Sequence, residues 1–121
     1  MRRRLILPLV LVAVTAATAA IVVIGQDRPE YTTAAPRAYS LYVQGEERAN
    51  AFQFARAESL LRAAIALYPG FAMAHAALSE VLASRAVGGA AKHERVLADS
   101  LASRLPREDE RLLVRVRLLT S

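Results

Sequence analysis

Apolar and polar positions along this chain change their rhythm once, near residue 36. From Leu5 to Gly25, twenty-one residues pass without a charge. At 1.5 Å of rise per residue, about 20 helical residues cross a hydrocarbon core of ~30 Å. Pro8 falls in the first turn of such a helix, where its missing N–H costs little. From Pro36 onward the apolar residues recur three and four positions apart, which predicts amphipathic helices. The clearest stretch is Ala57 to Leu78, a helix, a Pro69-Gly70 stop and the start of a second helix. No segment of 37–121 alternates as a strand does. The pattern predicts an all-α chain with three parts: a transmembrane helix at 1–25, a linker at 26–36 and a helical domain at 37–121.

Within that domain the chain repeats itself. A shift of 34 residues lays Ala38 on Ala72, Leu41 on His75 and Gly45 on Ser79. For the second helix of each unit a shift of 37 pairs Leu60 with Leu97, Leu61 with Ala98, Ala64 with Leu101 and Pro69 with Pro106. The three extra residues are expected in a longer turn at Gly88-Gly89. A final helix, Arg107–Thr120, shows Leu112, Leu113, Val116 and Leu119 on one face, with Arg111, Arg115 and Arg117 around it. It is a cap if its far side stays bare, and its shortage of polar residues points to a neighbour there.

A two-helix unit near 34 residues long is the spacing of a tetratricopeptide repeat. The segment Pro69-Gly-Phe-Ala-Met-Ala-His-Ala-Ala-Leu-Ser79 resembles the junction of that family, with Gly45 and Ala57 at its small positions and Phe54 at its aromatic one. Leu105-Pro-Arg-Glu-Asp-Glu-Arg-Leu112 is similar to the helix start that follows irregular bacterial repeats. The resemblance covers about two repeats plus a final helix. It implies a protein-binding groove lined by Tyr39, Tyr42, Glu46, Asn50, Met73 and Glu80. Departures from the pattern are Gln44 and Arg48, at places usually apolar, and Glu94, at a place usually small.

Charge adds an orientation. Of a formal +5, Arg2, Arg3 and Arg4 supply three charges. A basic cluster before an apolar span marks the cytoplasmic side, which predicts the N-terminus in the cytoplasm and residues 26–121 in a bacterial periplasm. Such a cluster is not the basic stripe with stacking aromatics that nucleic acid requires. Ala17-Thr-Ala19 also fits a signal-peptidase site, but Ile21–Ile24 continues the apolar run past it. Ala13, Ala16, Ala17 and Ala20 form small-xxx-small pairs, which let membrane helices pack closely.

Little in the sequence points to catalysis. Without cysteine there is no disulfide, thiolate metal site or thiol nucleophile. His75 and His93 are the only histidines, and no His-x-x-x-His or carboxylate–histidine spacing joins them. His75 reads as a packing residue. Glu108-Asp-Glu110 suits the first turn of a helix, where negative charge meets the dipole. No cofactor is implied. The expected function is a non-catalytic, single-span scaffold or accessory subunit of a larger membrane complex, respiratory or photosynthetic assemblies among the hosts, contacting protein subunits and lipid. Two other readings are a signal-cleaved periplasmic peptide binder, and the sensory or anchoring part of a regulator or enzyme.

Overall fold

The structure is a computed structural model that describes residues 35–121. Those residues form five helices: α1 (Pro36–Asn50), α2 (Phe54–Leu67), α3 (Ala72–Ser84), α4 (Gly88–Ala102) and α5 (Glu108–Thr120). No strand occurs among them. The predicted membrane span, with Ala13, Ala16, Ala17 and Ala20, lies outside the described residues. Among the described residues no helix is long and apolar enough to cross a membrane.

The helices form two hairpins and a last helix. α1 pairs with α2 and α3 with α4; α2 then packs on α3, and α5 rests on α4 and α3. Pro36 opens α1 at a first-turn position, where the absent N–H leaves no bond unmade. The Pro69-Gly70 stop separates α2 from α3, as the sequence indicates. α3 is the axis of the domain. Every residue from Ala72 to Ser79 is buried, because helices flank it on both sides.

The repeat register differs from the sequence expectation. α1 begins at Pro36 and α3 at Ala72, whereas α2 begins at Phe54 and α4 at Gly88, 34 positions later. Ala57 and Ala64 of α2 are buried, and so are Ala91 and Ala98 of α4, again 34 apart. The 37-residue offset is therefore wrong for the body of the second helix. Gly88-Gly89 is not a longer turn; these glycines open α4. The extra residues instead lengthen the end of α4 and the Ser103–Arg107 connection. Ala91, and not Glu94, is the buried small residue that follows Ala57 by 34 positions.

Both hairpin turns close the same way. Gln53 N–H bonds the Arg48 carbonyl at 2.8 Å and Phe52 N–H the Ala49 carbonyl at 2.9 Å. Val87 and Ala86 repeat the pair on Leu82 and Ala83, at 2.9 and 3.0 Å. These are Schellman closures, which need a left-handed residue and usually take glycine. Phe52 (φ 58°) and Ala86 (φ 60°) fill that role here.

α5 turns a different face inward from the one its apolar residues predict. Val114, Leu118 and Glu110 are buried, while Leu112, Leu113, Val116 and Leu119 are exposed. Glu110, in the first turn as expected, is only 1% exposed.

Candidate functional site

The reason for that rotation is Arg117. Its side chain leaves α5 and enters the space between α1 and α3, where Glu46 and Glu80 face each other. Nε and Nη2 donate to the two Glu80 oxygens at 2.7 and 2.8 Å. Nη1 and Nη2 donate to the two Glu46 oxygens at 2.8 and 2.9 Å. Nη1 also donates to the Tyr42 hydroxyl at 3.2 Å. That hydroxyl in turn donates to Glu46 at 3.3 Å.

A guanidinium has five N–H groups in a fixed planar fork. All five are used here, in two bidentate carboxylate pairs and one phenol contact. Burial acts to lower the pKa of Arg117; its hydrogen bonds to Glu80 and Glu46, then their charges, more than reverse this and raise it. The guanidinium is fully charged at every working pH. Two carboxylates share one cation, so the cluster keeps a net negative charge.

The groove residues implied by the resemblance divide in three. Tyr42, Glu46 and Glu80 converge on Arg117. Met73 is buried in the core, and Tyr39 is half-buried with its ring 6.2 Å from that of Tyr42. Asn50, the last residue of α1, is exposed and stands outside the cluster. Arg117 was absent from the expected set because it belongs to the far end of the chain. Its position among surface-type arginines carries no signal of an inward turn.

A second polar pair lies between α3 and α4. His75 Nε2 sits 2.8 Å from the Pro69 carbonyl, and Nδ1 sits 2.6 Å from a Glu94 oxygen. The carbonyl only accepts, so Nε2 must donate. Nδ1 and the carboxylate oxygen then need one proton between them. This corrects two expectations: a carboxylate–histidine pair does exist, and Glu94 is a partner rather than a misfit. His75 and Glu94 hold the places of Leu41 and Leu60 at the 34-residue offset, and that substitution of two polar for two apolar residues was the available clue. Gln44 and Arg48 are exposed; they bond Ser40 and Gln53 without entering the core.

The third feature is the outer face of α5. Leu112, Val116 and Leu119 are spaced i, i+4, i+7 and are 54%, 56% and 83% exposed. A shallow recess beside this stripe reaches onto α4, with Val96, Leu118 and Leu119 among the charged side chains Lys92, Arg95, Asp99 and Arg115. Among the described residues no three His, Asp or Glu side chains converge as a metal site would need. Comparison with family models, with curated proteins and with solved structures finds no match to this chain.

Proposed function

We propose that the chain is a non-catalytic, membrane-anchored scaffold whose tetratricopeptide-like domain holds a protein subunit of a larger complex. The observation that carries this reading is the outer stripe of α5. Surface aliphatics occurring singly are ordinary, but Leu112, Val116 and Leu119 share one helix face, and the Val96 recess lies beside it. In a stack of hairpins each layer covers one side of the last, and the terminal layer is normally polar. α5, the last described layer, exposes Leu112, Val116 and Leu119 around Arg115, as befits a surface that meets a neighbour. The anchor reading rests on the uncharged segment 5–25 and its arginine flank. By that reading the domain lies in the periplasm of a bacterium, tethered by residues 26–36.

A photo-crosslinking residue at Val116 in native membranes tests the proposal, with the same group at exposed Ser59 of α2 as the control. The expected result is one protein adduct of defined mass from position 116, abolished by Leu112→Asp. A chain that crosslinks to no protein from position 116 and purifies as a monomer in mild detergent rejects it. Recovery of Met1–Arg4 in the mature chain by mass spectrometry separates an anchored protein from a signal-cleaved binder.

A further inference from the structure

The Arg117 cluster is more than a surface ion pair. Tyr42, Glu46 and Glu80 come from two helices of different hairpins and present their acceptors to all five guanidinium N–H groups. An ammonium has three donors and no fork, so a lysine would leave part of this acceptor set unanswered. The acceptors belong to the hairpins, whereas the cation arrives on the final helix.

That helix is held to the hairpins more by polar than by apolar contacts, through Arg117 and through Arg95, which donates to its Leu118 carbonyl. α5 buries two aliphatic side chains, Val114 and Leu118, and exposes four, Leu112, Leu113, Val116 and Leu119. It joins the other described helices through one connection, Ser103–Arg107. The hairpin helices α1–α4 would keep their mutual contacts without it. Two carboxylates against one cation also leave the vacated site strongly acidic.

We infer that Tyr42, Glu46 and Glu80 form a guanidinium receptor, that Arg117 is its internal occupant, and that an arginine on a partner's amphipathic helix is the ligand that replaces it. The seat of α5 specifies that helix: an aliphatic residue three positions before the arginine and another directly after it, as in Val114-x-x-Arg117-Leu118. This site is separate from the outer stripe, and neither needs the other to exist.

The test uses the full chain in detergent and a fluorescent peptide of residues 107–121 as the probe. The competent fraction of a receptor scales its apparent affinity. Arg117→Ala empties the receptor and should tighten peptide binding by about tenfold or more over the unsubstituted chain. The same peptide with citrulline at position 117 should not bind. Because Arg117→Ala also removes a buried partner, Arg117→Lys provides a second chain that keeps the charge; it too should bind the arginine peptide more tightly than the unsubstituted chain. Propylguanidinium should raise the melting temperature of Arg117→Ala where propylammonium at equal ionic strength does not. Equal effects of the two cations, or no peptide binding by either variant, overturn the inference and leave Arg117 a fixed structural residue. Leu112→Asp in the chain should leave peptide binding unchanged, so that failure here and failure of the outer-stripe reading are told apart.

Discussion

In the first hairpin Leu61 is fully buried against Gly45; thirty-four residues later, Arg95 and Ser79 hold those two places. Ser79 folds its hydroxyl back onto the Ala76 carbonyl at 2.7 Å, and Arg95 leaves the hairpin to bond the Leu118 carbonyl of α5. The second hairpin is locked instead by His75 and Glu94, at the places where the first has Leu41 and Leu60. The backbone register is common to both, while the closing chemistry differs. The first hairpin is held by shape. The second is held by a proton and by the small residues Ala72, Ala76, Ala91 and Ala98, all buried. The difference teaches that a helix pair at this spacing tolerates either device, provided that every buried polar atom is matched. Among the described residues no buried side-chain nitrogen or oxygen is left without a partner.

The comparison is broken most strongly by Leu61→Ala. Removing this side chain should cost about 3–4 kcal/mol in urea unfolding, since the site is buried and closely packed. Arg95→Ala at the matching place should cost about 1–2 kcal/mol, the value of its two partly exposed hydrogen bonds to Leu118 and Ser121. The next largest effect belongs to the polar lock. Glu94→Leu alone should cost about 3 kcal/mol, because it strands His75 beside an apolar group. The pair His75→Leu with Glu94→Leu, which copies the first hairpin, should recover to within about 1–2 kcal/mol of the starting chain. A double variant as weak as the single one would show that the lock cannot be exchanged for apolar packing.

Gly45→Ala sharpens the contrast further. A Cβ at position 45 would lie 2.8 Å from Leu61 Cγ and 2.9 Å from its Cδ2. Overpacking costs about 1–3 kcal/mol, against a gain of about 1 kcal/mol in helix propensity, so a net loss near 1 kcal/mol is expected. Ser79→Ala, at the matching position, should shift the midpoint by no more than about 0.5 kcal/mol, since its hydroxyl serves only its own helix. In the two turns, Ala86→Gly relieves a left-handed alanine and should add about 0.5–1 kcal/mol. Phe52→Gly should add less, because Phe52 packs edge-on to Phe54 at 6.0 Å.

The smallest effect is one of pH. The hydrogen bond from Arg62 holds the Glu58 carboxyl below its ordinary value of 4.5 against the opposing effect of desolvation, and Arg85 at the end of α3 acts in the same sense as Arg62. A carboxyl lowered in the folded state stabilises it at neutral pH, and that contribution disappears as pH falls through the lowered value. Acid titration should therefore show a slight loss of stability below pH 4.5 that Glu58→Gln removes. An unchanged acid limb in that variant would assign the loss to other carboxylates.

Local physics settled much of this protein from its sequence. The 3.6-residue rhythm, the proline at the start of α1 and the Pro69-Gly70 stop specify helices and their limits through backbone geometry alone. The 34-residue echo of Ala38 and Gly45 in Ala72 and Ser79 likewise followed from which positions must be small where two helices cross. What lay beyond the sequence were pairings between distant residues. The 37-residue offset matched leucines and prolines well, yet contacts, and not letter identity, choose the register, and those bury Ala91, 34 positions after Ala57. His75 and Glu94 are 19 positions apart and Arg117 and Glu46 are 71 apart, separations that no helical period links. α5 shows the limit most plainly. Its apolar count favours burying Leu112, Val116 and Leu119, but a charge with five donors must be answered before it can be buried. The only tertiary arrangement described that answers it turns Arg117 inward, and the apolar stripe outward.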